Sequence, residues 1–356
     1  MSEKVPTLAD VARVAGVSPA TVSRVLRGYA QVAADTRARV LREARRLGYQ
    51  RTPANPRADS GRASGETGSA IRGLNRLKVL VDVHAEEQFT PVLVELLQIG
   101  AAHRFEVTIE RYEHGTLVDR ATELQSMGFD AVVVLTMEVI PVEDARELRE
   151  LLIPVVLVNR YVQGLTFSVT LDDFAAGCHA ARYLYDLGHR RIAYLQGDLS
   201  ASSMKDRADG FRAELTRLGV YDPSLFLETG GRTHRFHERV AECMKRLLAE
   251  EEPVTAVWAW NDATALTAIA AAHTLGVRVP EDISVMGFDR MSAQTPWRLT
   301  TFDYRFRDLA QATGALLQII FNGTVQQPMR LCVTPTLVIG HTTAPPRSDR
   351  RPGIAL

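Results

Sequence analysis

Cysteine is scarce: Cys178, Cys243 and Cys332 are the only three in 356 residues, they lie far apart and no CxxC spacing occurs. That excludes a disulfide framework and a thiolate zinc site, and leaves buried thiols as the simple reading. Long apolar runs are missing too, since nothing approaches the roughly 20 residues needed to cross a bilayer. The opening MSEKVPTLAD carries charge where an export signal has its apolar centre, so a cytoplasmic protein without a membrane segment is expected. Several motifs of catalysis are also wanting: no GxGxxG after a strand, no GxxxxGK[ST], no GxSxG elbow, no HExxH and no evident nucleophile–base pairing. His234 and His237 lie three apart, a spacing a metal could use, but no third ligand follows. Neither metal nor cofactor is expected. With 46% hydrophobic and 24% charged residues the chain is neither disordered nor collagen-like, and its length leaves room for two or three domains.

Net charge is zero, but it is unevenly spread. Residues 1–51 hold ten Lys and Arg against four Asp and Glu, a surplus of six positive charges, and the other 305 residues carry the compensating six negative ones. A small basic head on an acidic body suits a polyanion, although a basic helix is as often a solvated face.

Within the head, Thr7-Leu-Ala-Asp10 is a helix start signal, and Leu8, Val11, Ala12 and Ala15 share one helical face until Gly16. Ser18 then caps a second helix with Pro19 at its first position, where a missing N–H costs nothing, and Val22, Val25 and Leu26 form its buried stripe. A third helix is expected from near Asp35 to Gly48, with Val40, Leu41, Ala44 and Leu47 inward and Arg39, Arg42, Arg45 and Arg46 outward or flanking. Two helices joined by a short turn with Gly make a helix-turn-helix, whose second helix offers its N-terminal half to the major groove. That half holds Pro19, Ala20, Thr21, Ser23 and Arg24. Arg24 can fork onto guanine, Ala20 can touch a thymine methyl, and Thr21 and Ser23 can donate to phosphate or base edges.

TLADVARVAGVSPATVSRVL and TRARVLREARRLGY closely resemble the DNA-binding head of the lactose-repressor (LacI/GalR) family. The resemblance implies operator DNA as a partner and a DNA-facing set of Thr7, Ser18, Pro19, Ala20, Thr21, Ser23, Arg24 and Arg27. Arg27 stands where the family usually has Asn, giving a longer, charged reach to phosphate. Beyond Tyr49 the family usually reads Pro-Asn, then an Ala-Arg pair and a Leu that wedges into the minor groove. Here Arg51, Thr52, Asn55, Pro56 and Ala58 stand at those places. Pro53 and Pro56 disfavour a helix and Ala58 is too small to part a base step. The stretch from Thr52 to Gly73 reads as a flexible tether, either inert or tracking phosphates through Arg57, Arg62 and Arg72.

From Leu77 onward short apolar runs alternate with helical patterns: LKVLVDV, FTPVLVELLQIGAAHR, FEVTIERY and FDAVVVLT, later IPVVLVNR, AAGCHAARYLYDLG, RIAYLQG, ADGFRAELTRLG, TAVWAW, ATALTAIAAAHTLG and ISVMGFD. Such alternation means parallel sheets covered on both faces, and this many elements exceed one sheet, so two doubly wound α/β subdomains are expected. Ligands sit beyond the C-terminal ends of such strands. The residues there are Asp82, Phe89, Thr136, Asp172, Asp173, Gln196, Asp198, Asn261, Asp262 and Asp289. Their hydroxyls, amides and carboxylates, with an aromatic face, suit a polyhydroxylated ligand. Asp173 and Asp262 can equally be helix caps, and Asp289 a turn carboxylate.

The body also resembles the periplasmic-binding-protein-like effector domain of the same family over roughly 77–342, through IPVVLVNR, LDDFAAGCHAARYLYDLGHRRIAYLQG, RADGFRAEL, WNDATALTAI, VPEDISVMGFD and LTTF. It implies effector contacts from Asp173, Arg207, Asn261 and Asp289, with Phe306 as a further candidate; Phe89 and Thr136 complete the effector set. Arg207 can fork onto two hydroxyls or a carboxylate. His189 belongs to the family motif and is assigned to packing or a turn, whereas Trp258, Trp260 and Trp297 fit core or pocket equally. The expected layout is a head (1–50), an atypical hinge (51–76), a body (77–342) and a tail (343–356). In the body, 77–171 and 301–328 form one subdomain and 172–300 and 329–342 the other. The function expected is a transcriptional regulator, a repressor by family habit, that works as a homodimer or a tetramer built from it. A sugar-like effector between the subdomains would control it. An enzyme on the same scaffold, or an exported solute carrier, would leave the basic head unexplained.

Overall fold

The computed structural model describes residues 7–26, 33–47, 49, 71, 73–230, 235–290, 298–323, 325 and 327–347. Arg27, nearly all of the linker, His234 and Trp297 lie outside the described residues. The head is three helices: α1 (Leu8–Ala15), α2 (Pro19–Leu26) and α3 (Ala34–Arg46). Asp10 returns its carboxylate to the Thr7 N–H at 2.9 Å while the Thr7 hydroxyl accepts from the Asp10 N–H at 3.3 Å, closing a capping box. Gly16, at φ +64, ends α1 in the left-handed conformation that a side chain would strain. Val11, Ala12, Ala15, Val22, Val25, Val40, Ala44 and Tyr49 make the small core.

The body continues with β1 (Arg76–Asp82), α4 (Glu86–His103), β2 (Glu106–Tyr112), α5 (Leu117–Ser126), β3 (Ala131–Leu135), α6 (Val142–Arg149), β4 (Val155–Val158) and β5 (Phe167–Leu171). Then come α7 (Asp173–Asp186), β6 (Ile192–Gln196), α8 (Ser202–Arg217), β7 (Phe226–Glu228), α9 (Phe236–Leu248), β8 (Ala256–Ala259) and α10 (Asp262–Thr274). β9 (Ser284–Met286), β10 (Thr301–Asp303), α11 (Phe306–Phe321), β11 (Arg330–Val333) and β12 (Thr336–Val338) complete the chain. It divides into two compact units, 1–170 with 306–331 and 171–305 with 332–356.

In the first unit the strands lie in the order β11-β5-β4-β3-β1-β2, with β1 through β5 paired in parallel. β3 and β4 are wholly buried, which is why their sequences are unbroken Ala, Val and Leu. Lys78 breaks the pattern of β1 and is itself buried; its Nζ reaches Glu110 on β2 at 2.6 Å and lies over the Phe129 ring. Arg120 grips the same carboxylate from α5, and these hydrogen bonds hold the Glu110 carboxyl below its ordinary range despite partial burial.

The second unit has the parallel order β7-β6-β8-β9. Side chains alternate across it: Ala193, Leu195, Val257 and Ala259 join the α9 and α10 core with Val240, Met244, Ala268 and Ile269. On the opposite face Tyr194 and Trp258 stack at 4.9 Å, and Phe211 of α8 lies 4.7 Å from Trp258. α7 and α8 meet backbone to backbone, because a Cβ on Gly177 would collide with the Arg207 carbonyl and one on Gly210 with that of Phe174. β10 pairs antiparallel with β12, so residues 301–305 belong to this unit and the first resumes at Phe306, a later crossing than the 301 expected. Thr343 and Ala344, at the start of the expected tail, are hydrogen-bonded to the second unit. Thr343 bonds the Tyr183 hydroxyl at 2.8 Å, and the Ala344 carbonyl accepts from His189 Nε2 at 3.0 Å and Ser284 Oγ at 2.9 Å. His189 is therefore a buried strut between Thr255, Ser284 and the C-terminal segment.

Candidate functional site

Two surfaces carry chemistry. On the head, Val22 and Val25 turn α2 so that Pro19, Ala20 and Arg24 are exposed and Thr21 and Ser23 half-exposed. Ser18 is the cap: its Oγ accepts from the Thr21 N–H at 3.0 Å and lies 2.8 Å from the Thr21 hydroxyl. The Thr21 hydroxyl, an expected DNA contact, lies against the Ser18 hydroxyl at the start of α2 and stays half-exposed. Thr7 spends its hydroxyl on the α1 cap. Arg13 is paired with Asp10 at 2.7 Å and Arg46 with Glu43 at 2.8 Å, whereas Arg24 and Arg39 have no acidic partner among the described residues. Arg24 is thus an unneutralised, exposed cation on the helix that a groove would receive.

In the second unit Arg207, only 1% exposed, is held among Asp173, Trp260 and Phe288, with Asp289 close enough to act on its charge. Its Nη2 and Nε donate to Asp173 Oδ1 at 2.7 and 3.1 Å, its Nη1 donates to the Trp260 carbonyl, and its Cζ lies 3.4 Å from the Phe288 ring centroid. Burial alone would lower the guanidinium's pKa, but Asp173 and Asp289 overrule it and hold it above its ordinary value. A guanidinium has five N–H donors; the three bonds to Asp173 and Trp260 leave two to offer. The close α7–α8 contact at Gly177 and Gly210 brings Asp173 and Arg207 together.

The capping roles fall one residue earlier than expected. Asp172 accepts from the Ala175 N–H at 3.0 Å and Asn261 from the Thr264 N–H at 2.8 Å, so Asp173 and Asp262 are not caps. Asp173 positions Arg207, and Asp262 accepts the Thr301 hydroxyl at 2.6 Å. The cap also orients the Asn261 amide: Oδ1 is committed and the NH₂ is the side a ligand can meet. Asp289 follows β9 with φ +112, in the region that disfavours a side chain, and its N–H donates to the Phe302 carbonyl. A carboxylate held at that backbone cost is typical of a functional position. Trp258 resolves as core, 0% exposed, while Trp260 is partly exposed.

Phe89, Thr136 and Phe306 belong to the first unit. Phe89 is fully buried on α4. Thr136 Oγ1 accepts from the Tyr112 hydroxyl at 2.6 Å and the Glu138 N–H at 2.9 Å, a structural use that its place after an apolar strand did not reveal. Phe306 is the half-buried first residue of α11. Among the described residues no group of three or more His, Cys, Asp or Glu could hold a metal, and no helix is long and apolar enough to cross a membrane.

Residues 7–52 match the family described as bacterial regulatory proteins, lacI family, and residues 181–343 match a periplasmic binding protein-like domain. The HTH-type transcriptional regulator GalS of Salmonella typhimurium is 31% identical over 343 residues, 95% of this chain and 96% of GalS. The HTH-type transcriptional repressor PurR of Haemophilus influenzae is 29% identical, over 94% of this chain and 97% of PurR. Among solved structures, a CelR–cellobiose complex is 25% identical with a TM-score of 0.62, over 95% of this chain and 99% of that one. The lac repressor dimer bound to operator and an anti-inducer, 24% identical with a TM-score of 0.65 over 96% of this chain and 100% of that one, shares the fold. A capped helix-turn-helix head, a body of parallel sheets and full-length likeness to regulators converge: this chain is a DNA-binding transcriptional regulator belonging to the lacI family of bacterial regulatory proteins.

Proposed function

We propose that this regulator is a homodimeric repressor whose grip on its operator is governed by a neutral, sugar-like effector held by the second unit. Arg207 and the Asn261 amide donate to the effector's oxygens, Asp289 accepts from its hydroxyls, and Asp173 fixes Arg207 without touching the ligand. On the head, Arg24 reads a base edge, with Ala20 and Ser23 beside it.

The supporting observation is the charge balance of the cluster. One guanidinium faces two carboxylates, Asp173 and Asp289, so an anionic ligand bound at Arg207 also meets two negative groups. A phosphorylated ligand would add like charge at short range in a buried setting, whereas a neutral polyol exchanges hydroxyls for water at small electrostatic cost. Two copies are needed because one reading helix spans too few bases, and dimers set matched helices about one DNA turn apart. The effector contributes its differential affinity for the two operator-binding states, typically about 1–3 kcal/mol.

Fluorescence anisotropy with an operator fragment tests the reading, in the presence of cellobiose, galactose or ribose and of glucose 6-phosphate. A neutral sugar is expected to change operator affinity roughly 5- to 150-fold and the phosphate ester to do nothing. A response to the ester alone would refute the charge argument.

A further inference from the structure

We propose that Trp260 is the residue by which this chain selects its effector. Its indole is a stacking platform, and its Nε1–H donates to a ring or hydroxyl oxygen of a neutral sugar. The proposal rests on the effector reading given above and adds a contact to it.

The place of the ring is set by topology. β6 and β8 are neighbours in the parallel sheet. The helix leaving β6, α8, packs with α7, while the helix leaving β8, α10, packs with α9 on the other face. The chain therefore parts at the C-terminal ends of β6 and β8, the position at which open α/β sheets leave a crevice for ligands. Gly197 stands at the end of β6 and Trp260 at the end of β8. The two touch: a Cβ on Gly197 would lie 2.9 Å from Trp260 Cδ2 and 3.2 Å from Cγ and Cε2. Only glycine lets the indole settle on the strand end.

The chemistry of the ring is unspent. Trp258, two residues earlier, is completely buried and its Nε1 donates to the Gly287 carbonyl at 3.2 Å. Trp260 is partly exposed, yet its Nε1 is shielded and has no acceptor among the described residues. An indole N–H kept from water without an acceptor is a cost that a correctly placed ligand oxygen removes. The backbone of the same residue is tied into the cluster, because its carbonyl accepts from Arg207 Nη1 and the next residue, Asn261, caps α10 while leaving its NH₂ outward. The indole N–H, the remaining guanidinium N–H groups and the Asn261 amide thus make up an unspent donor set in this part of the second unit. An acceptor-rich ring with C–H faces, which is what a sugar presents, complements it, the indole face covering the C–H face.

The test uses the full chain and calorimetric titration with cellobiose, galactose and ribose. Trp260→Phe keeps a ring and deletes the donor, and is expected to weaken binding roughly 2- to 12-fold, the usual worth of one hydrogen bond. Trp260→Ala deletes both and should weaken it more than about ten-fold. A second measurement does not depend on those variants folding. In a Trp297→Phe background, where Trp258 is sealed, the sugar that binds should shift the emission of Trp260 and protect it from acrylamide quenching. Unchanged affinity in both Trp260 variants while Arg207→Lys loses binding, or a bound sugar that leaves emission and quenching unaltered, overturns the Trp260 assignment and leaves the effector reading standing. If the unmodified chain binds none of the three sugars, the effector reading falls and the Trp260 assignment with it.

Discussion

The Arg207–Asp173 pair is the point at which stability and sensing meet, and it can be separated by substitution. Both side chains are 1% exposed. Arg207→Met keeps much of the volume but leaves the Asp173 carboxylate buried without its cation, which costs about 3–5 kcal/mol. The second unit has about 160 residues by its bounds, and a unit of that size loses about 2–4 °C of melting temperature per kcal/mol. The single variant should therefore melt roughly 6–20 °C lower by differential scanning calorimetry. Replacing both members, Arg207→Met with Asp173→Leu, removes the stranded charge and should recover most of that loss, since an apolar pair is often as stable as a buried ion pair. Effector response should stay absent in the double variant, because the donors are gone. A single variant melting within about 2 °C of the parent would refute the reasoning, since that is less than 1 kcal/mol for a unit of this size.

Arg24→Ala should cost about 1–3 kcal/mol on the preferred operator and relax base choice at one position, as measured by anisotropy across a set of operator variants; an equal loss on random DNA would contradict base reading. Asp289→Asn keeps the shape but removes the charge, and should weaken the sugar that binds roughly 2- to 12-fold in calorimetric titration; unchanged affinity would contradict an acceptor role for Asp289. Glu110 has a folded pKa below its unfolded one, so the stability it contributes is present above the ordinary carboxylate range and is lost as pH falls through the lowered value. Glu110→Gln should flatten the acid limb of a pH–stability curve; an unchanged limb would show that Lys78 and Arg120 do not act through it.

The head was legible almost residue by residue, because capping boxes, a glycine turn and helical periodicity are local signals. Thr7, Asp10, Gly16 and Ser18 each announce their role within four positions. The two α/β units were legible from apolar runs of strand length. Less legible were features that long-range contact decides. Asp172 and Asp173 are adjacent carboxylates, and only the approach of α8 shows that one caps and the other holds Arg207. The burial of Lys78 within a strand depends on Glu110 and Phe129, which lie 32 and 51 positions further along the chain. Trp258 and Trp260 have the same local pattern, and what separates them is Gly197 and Gly287. Thr343 and Ala344 carry no periodic signal, and their anchors lie about 60–160 residues away in Ser284, His189 and Tyr183.

The order of the first sheet also has a bearing on biosynthesis. β5 takes its outer neighbour from β11, where Ser168 and Asp172 bond Met329 and Val333 and the Arg330 guanidinium reaches Thr170 at 2.7 Å. About 160 residues separate the two strands in the chain, and at a ribosomal pace of about 5–20 residues per second the nascent polypeptide carries an open strand edge for roughly 8–32 s. During that interval FSVTL is a ready template for another chain. A cell making this regulator quickly therefore has reason to keep a chaperone near the ribosome.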